Sequence, residues 1–143
     1  SGHKTAIDRV ADIGKPLGVR RAVILPVSAP FHCALMQPAA DAMAEALSKV
    51  VVHKPVVPVV ANVVATAISD PEEIKKRLVE QVVGTVRWRE CVAYMAANGI
   101  TDFYEIGSGK VLAGLVKRTA STANASSVGT PADIDAAVAA LLA

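Results

Sequence analysis

Short apolar runs alternate with amphipathic segments along the chain, and this alternation limits the available folds more than any other feature. Residues 22–27 (Ala-Val-Ile-Leu-Pro-Val) are apolar on both faces, and residues 56–64 have the same character around Pro58. Residues 101–106 predict a third strand. Strands that are apolar on both faces are typical of parallel sheets covered by helices. We therefore expect an α/β fold whose parallel strands are joined through helices.

Six helices are predicted around these strands from the apolar spacing and from turn residues. Their ranges are 5–13, 38–50, 71 to at least 82, 88–97, 110–119 and from 131 onward. The clearest start is at Asp70-Pro71-Glu72-Glu73, where Asp70 suits the cap and Glu73 the reciprocal position of a capping box. Residues 120–129 are rich in Ser, Thr, Ala and Asn, and we expect a surface loop there.

Composition excludes several classes of protein. The 143 residues include 15 Lys or Arg and 13 Asp or Glu, with 52% hydrophobic and 20% charged residues, which is unlike a disordered chain. No apolar run is long enough to cross a bilayer, and no basic block with interleaved aromatics suggests nucleic-acid binding. Two cysteines and no visible secretory signal fit a reducing, cytoplasmic compartment. We expect no membrane partner, no nucleic-acid partner and no metal.

His32 is the best candidate for catalysis among the three histidines. It follows the predicted strand 22–27, near the edge of a parallel sheet where catalytic groups collect. A structural histidine is the alternative. His3 and His53 stand beside lysines and are expected on the surface. Cys33 beside His32 suggests a thiol nucleophile, but adjacent side chains in an extended chain seldom face each other, so Cys33 and Cys91 are interpreted as buried thiols.

The turn Gly107-Ser108-Gly109 lies between a predicted strand and a predicted helix, as in nucleotide-binding loops. Leu112 stands where a dinucleotide fingerprint needs its third glycine, and Val111 stands where a P-loop needs Ser or Thr. A sharp turn is the favoured interpretation, although the amides of the following helix can hold an anion. The chain contains no G-x-S-x-G nucleophile elbow.

An ordered series of six motifs extends along the chain: residues 29–36 (APFHCALM), 55–63 (PVVPVVANV), 78–82 (LVEQV), 86–88 (VRW), 94–95 (YM) and 105–112 (EIGSGKVL). This series resembles the malonyl-CoA:acyl-carrier-protein transacylases of bacterial fatty-acid synthesis. The resemblance spans essentially the whole chain and implies the C-terminal half of such an enzyme. In fold terms it implies that residues 1–28 end a ferredoxin-like small subdomain. Residues 29–143 would form the C-terminal half of a hydrolase-like parallel-sheet core.

The same resemblance implies roles for individual residues. His32 would be the general base, and the main-chain carbonyl of Gln81 would orient its imidazole as an Asp does in a Ser-His-Asp triad. Asn62 matches an asparagine that lines the substrate pocket. Phe31 resembles the form of the motif found in malonyl-selective members, and an anchor in the core is the equal alternative.

The implied reaction moves malonyl from coenzyme A to an active-site serine and then to the phosphopantetheine thiol of acyl carrier protein. The serine, the oxyanion-hole amides and the arginine for the malonyl carboxylate belong to an N-terminal half that these residues do not include, so this half is an expected partner. A coenzyme A thioester is the substrate, and no bound cofactor is expected. Two other functions stay open: an acyltransferase domain of a polyketide synthase, and a non-catalytic nucleotide-binding module.

Three basic residues are candidates for docking the acidic carrier protein. Lys117 and Arg118 close the predicted helix 110–119, and Lys110 opens it. Positive charge near a pocket mouth steers acidic partners. Cations in the last turn of a helix also complement its dipole without any partner, so both interpretations of Lys117 and Arg118 remain.

Overall fold

The computed structural model describes residues 1–142, apart from the side chain of Ala11. The chain divides into two compact units, the first Ser1–Val86 and the second from Arg87 onward. None of the helices in the described part is both long and apolar enough to cross a membrane. The domain boundary that the resemblance implies after residue 28 is not the division between these two units, and it stays a prediction.

The first unit is mainly helical and contains one small hairpin. Its helices are α1 (Lys4–Gly14), α2 (Gln37–Ser48) and α3 (Pro71–Val83), and a short 3₁₀ turn, Ala34–Met36, leads into α2. Strands β1 (Val59–Ala61) and β2 (Thr66–Ile68) pair antiparallel, with Ala61 opposite Thr66. Helix α3 packs against both α2 and β1, so the hairpin and α2 lie against the same helix.

The second unit contains the parallel part of the fold. Its elements are α4 (Trp88–Ala97), β3 (Asp102–Ile106), α5 (Val111–Thr119), β4 (Asn124–Val128) and α6 (Pro131–Leu142). Strands β3 and β4 run parallel from the pair Asp102 and Asn124 to the pair Ile106 and Val128. Val92, Val116 and Ala120 form the buried cluster of this unit, and Trp88 and Phe103 pack against it.

The α/β class is confirmed, but the predicted parallel sheet of three strands is wrong. Residues 22–27 belong to no strand, and their large side chains are exposed, with Ile24 and Leu25 each at 67%. Apolar pattern identifies residues that are suited to burial, whereas a strand also needs a neighbouring strand to satisfy its backbone. The described residues place no such neighbour beside 22–27.

Two further predictions, one of a strand and one of a loop, differ from the structure. The run 56–64 forms a strand only over β1, because the chain turns at residues 62–65 and returns as β2. The loop predicted at 120–129 contains β4, so that prediction is wrong. Its Ser-rich sequence has weak strand propensity, but pairing with β3 and contact of Ala125 with the core overrides it.

The helices follow their local sequence signals closely. The Asp70 side chain caps α3 by accepting a hydrogen bond from the Glu73 amide at 2.8 Å, as predicted. Helix α4 has the predicted limits, and α5 begins one residue later than predicted. A helix cap depends on groups only a few residues apart, which explains why these helix starts can be predicted from the sequence.

Candidate active site

His32 lies in a tight loop that holds its backbone in an unusual conformation. Its φ is 60°, in the left-handed region that residues other than glycine rarely adopt. The loop is closed by the Phe31 amide, which donates to the Ala29 carbonyl at 2.9 Å, and by the Cys33 thiol, which donates to the Pro30 carbonyl at 3.1 Å. Strain of this kind persists where surrounding contacts impose it, and it is concentrated at functional sites.

The imidazole of His32 contacts the main chain of Gln81, 49 residues further along the chain. Nδ1 of His32 lies 2.8 Å from the Gln81 carbonyl oxygen. A carbonyl oxygen only accepts hydrogen bonds, so Nδ1 carries a proton, and in the neutral imidazole Nε2 then carries the lone pair. Because the His32 side chain is exposed, this geometry presents Nε2 as a base to an incoming group.

The Gln81 carbonyl is available because of its place in α3. Gln81 is in the last turn of the helix, where carbonyl oxygens lack the amide four residues ahead that bonds them elsewhere. The end of a helix also carries partial negative charge. A carbonyl in this position therefore stabilises an imidazolium while Nε2 holds a proton, which is part of what a carboxylate does in a triad.

Asn62 reaches Gln81 from the turn between β1 and β2. Its Nδ2 donates to Gln81 Oε1 at 2.9 Å, and both side chains are half-buried. The two residues line a cavity of about 130 Å³ together with Leu78 and Arg77. Arg77 forms hydrogen bonds with Glu80 and Glu73 of the same helix, and these bonds raise the pKa of its guanidinium above the ordinary value.

Comparison with known proteins relates this chain to one group of enzymes. No family model matches the chain. The malonyl CoA-acyl carrier protein transacylase of Escherichia coli K12 is 45% identical over 138 residues, which are 96% of this chain and 45% of the relative. The enzyme of the same name from Bacillus subtilis is 38% identical over 138 residues, or 96% of this chain and 44% of that protein. The chain is homologous to the C-terminal half of malonyl CoA-acyl carrier protein transacylase.

Solved structures agree with the sequence relatives. An acyl-carrier-protein-S-malonyltransferase from Bartonella henselae matches with a TM-score of 0.91 and 48% identity, over 99% of this chain and 45% of that one. A malonyl-transacylase solved in complex with a type II polyketide-synthase acyl-carrier protein matches with a TM-score of 0.89 and 40% identity, over 97% and 45%. The chain thus spans slightly less than half the length of these transacylases.

Phe31 lies next to His32 in the same loop. Its ring centroid is 6.5 Å from that of the His32 imidazole, with the planes tilted by 49°. The side chain is 45% exposed, so the described part of the chain does not bury it as a core anchor. A role in choosing the acyl group stays a prediction.

The glycine turn of the second unit is not arranged as a free anion site. Gly107 and Gly109 have φ values of 131° and 102°, which explains why glycine is needed at both positions. The Glu105 carboxylate accepts hydrogen bonds from the Ala113 amide at 2.8 Å and the Leu112 amide at 3.0 Å, and chiefly the first lowers its pKa. A nucleotide phosphate would have to displace this carboxylate. This role of Glu105 is not predicted from the sequence, although an acidic residue two positions before the first glycine of such a turn is a usable signal.

The three basic docking candidates are exposed and lie in the second unit. Lys117 and Arg118 occupy the last turn of α5, and Lys110 precedes its first residue. The charge of Lys110 contributes to the lowered pKa of Asp133, after larger contributions from the Thr130 side chain and nearby amides. Docking of a carrier protein by these residues stays a prediction.

The remaining sequence candidates divide between surface and interior. His3 and His53 are exposed, as predicted. Cys91 is buried, and desolvation raises the pKa of its thiol, whereas Cys33 is only half-buried, so the prediction of two buried thiols is half wrong. Within residues 1–142, no group of three or more His, Cys, Asp or Glu side chains is placed to hold a metal ion.

Proposed function

We propose that this chain supplies the general base of a malonyl-CoA:acyl-carrier-protein transacylase acting in fatty-acid biosynthesis. The observation that carries the proposal is the contact of His32 Nδ1 with the Gln81 carbonyl, which in the neutral imidazole places the lone pair on Nε2 of an exposed side chain. Homology to enzymes named as transacylases supplies the reaction class. A reaction that uses coenzyme A thioesters is consistent with the proposed cytoplasmic location of the protein.

The nucleophile of the proposed reaction comes from an N-terminal half that the present residues do not contain. As the serine Oγ attacks the malonyl thioester carbonyl, Nε2 of His32 takes the hydroxyl proton. The tetrahedral intermediate collapses with cleavage of the C–S bond, and Nε2 returns the proton to the departing coenzyme A sulfur. The phosphopantetheine thiol of the carrier then attacks the acyl-serine and repeats these steps in reverse.

Exposed apolar surface supports the need for an N-terminal half. Large apolar side chains of the first unit are exposed, with Leu17 at 78% and both Ile24 and Leu25 at 67%. We propose that this half provides strands for residues 22–27, so that residues 1–28 complete a ferredoxin-like subdomain. Residues 29–143 would then complete a hydrolase-like core.

The carrier protein and the acyl group are also part of the proposal. A transacylase similar to this chain was solved with an acyl-carrier protein, which supports the same class of partner here. Lys117 and Arg118 would attract the acidic carrier, with a smaller contribution from Lys110. Phe31 would crowd the α-methyl group of methylmalonyl and so favour malonyl. The polyketide-synthase and nucleotide-binding alternatives are not favoured by these findings.

The test is a substitution of His32 in a full-length transacylase that contains residues 1–143. His32→Ala should lower transfer of malonyl to the carrier by about 10²- to 10⁴-fold, the contribution typical of a general base. His53→Ala is the matched control, since it removes an exposed histidine with no contact to Gln81, and it should leave the rate unchanged. Full activity of His32→Ala would refute the proposal.

A further inference from the structure

We propose that Asn62 is a positioning residue for His32, acting through Gln81 rather than by contacting malonyl. This inference rests on the proposed function and deepens it. Gln81 is bonded at both ends: its main-chain oxygen meets His32 Nδ1, and its side-chain Oε1 accepts from Asn62 Nδ2. A single residue therefore joins the hairpin turn to the imidazole.

The turn that carries Asn62 is held in place independently of Gln81. Ala65, at φ 55°, donates its amide to the Ala61 carbonyl at 2.8 Å and closes the turn. The same turn lies close to the residue that follows α3: a Cβ added to Gly84 would be only 2.9 Å from Val63 Cγ1. Asn62 thus projects from a defined turn onto the last turn of the helix.

The last turn of a helix is where such support matters most. Terminal turns fray because their carbonyls lack intrahelical partners, and the Gln81 carbonyl belongs to this group. The half-buried Oε1 of Gln81 needs a donor, and Asn62 provides one. Holding the side chain of Gln81 limits fraying of its backbone, and this keeps the carbonyl aimed at Nδ1. Loss of Asn62 should therefore reduce the fraction of enzyme with a correctly oriented base.

A double-mutant cycle in the full-length enzyme separates positioning from substrate contact. Gln81→Ala removes Oε1 but keeps the main-chain carbonyl. Asn62→Ala and Gln81→Ala should each lower kcat by about 2- to 12-fold, the range that one net hydrogen bond supports, with KM for malonyl-CoA unchanged. The double variant should be no slower than the slower single variant, because both remove the same bond. A raised KM with unchanged kcat in Asn62→Ala, or effects that multiply, would overturn the proposal.

A conservative variant and a control accompany the cycle. Gln81→Glu keeps an acceptor for Asn62 and should lower kcat less than Gln81→Ala does, and a loss as large as that of Gln81→Ala would count against the proposal. Asn98→Ala removes an asparagine whose Nδ2 bonds the Tyr94 carbonyl at the end of α4, 2.8 Å away. It should not change kcat, and a fall equal to that of Asn62→Ala would also contradict the proposed link.

A spectroscopic readout tests the link without relying on turnover. ¹⁵N NMR of the neutral imidazole, assigned by comparison with His32→Ala, should show the proton on Nδ1 in the wild type. In Asn62→Ala and Gln81→Ala the spectrum should shift toward a mixture of both tautomers. An unchanged tautomer in both variants would refute the positioning role. Full activity of His32→Ala would instead refute the proposed function, so the two failures are distinguishable.

Discussion

Gly84→Ala tests whether close packing at the end of α3 maintains the site. Gly84 follows the last residue of the helix, and an added Cβ would lie 2.9 Å from both the Glu80 carbonyl oxygen and Val63 Cγ1. Ordinary contacts of a Cβ lie at 3.4–4 Å, so both neighbours must move by about half an ångström or more. Glu80 is part of the helix backbone, and Val63 is adjacent to Asn62, which limits how freely either can move.

The expected cost follows from two opposing effects. Forcing a methyl group into a packed site costs about 1–3 kcal/mol. Alanine also lowers the entropy of the unfolded chain, which stabilises the fold by about 0.4–1 kcal/mol where the backbone conformation is allowed. Gly84 has φ of −86° and ψ of 158°, which alanine adopts readily, so this gain applies. The free energy of unfolding should fall by about 1–2 kcal/mol, and movement of the turn should also lower kcat through Asn62.

Urea unfolding followed by far-UV circular dichroism measures the stability change, and Gly114→Ala is the matched control. Gly114 lies within α5, and a Cβ there would meet no atom within 4 Å. The control should raise the free energy of unfolding by about 0.5–1 kcal/mol, because alanine is the better helix residue. The same substitution is thus expected to have opposite signs at the two sites. Equal effects, or a stabilised Gly84→Ala, would refute the packing argument.

Three further predictions concern selectivity, docking and pH. Phe31→Ser should raise kcat/KM for methylmalonyl-CoA relative to malonyl-CoA by about 10- to 200-fold, the range for one methyl group, and an unchanged ratio would remove Phe31 from selectivity. Reversing Lys117 and Arg118 to Glu should raise KM for the carrier at low salt and flatten its salt dependence, with KM for malonyl-CoA nearly constant; an unchanged carrier KM would exclude this surface. Glu105→Gln should lower stability at neutral pH but not in acid. The pKa of Glu105 is lowered by folding, so its contribution is present above the unfolded pKa and is lost as pH falls through the folded one. A difference between wild type and Glu105→Gln that stays constant across acid unfolding curves would contradict this.

Local signals in the sequence predicted the helices, and resemblance predicted the pair at the site. The cap at Asp70 and the helix after the Gly107 turn depend on residues a few positions apart. The pairing of His32 with the Gln81 carbonyl was expected only because the motifs resemble those of a known family. Spacing alone cannot relate a loop residue to a carbonyl 49 positions away.

What the sequence by itself determined is the set of helices, the α/β class and the candidacy of His32. Tertiary structure decided which apolar runs became strands: β4 formed from a Ser-rich segment, whereas the more apolar residues 22–27 did not. It also decided that Asn62 bonds Gln81, and that Glu105 occupies the amides of α5. The physical reason is the range of the interactions. A helix satisfies its backbone within a few residues, but a strand or an orienting hydrogen bond needs a partner from a distant part of the chain, which only folding brings near.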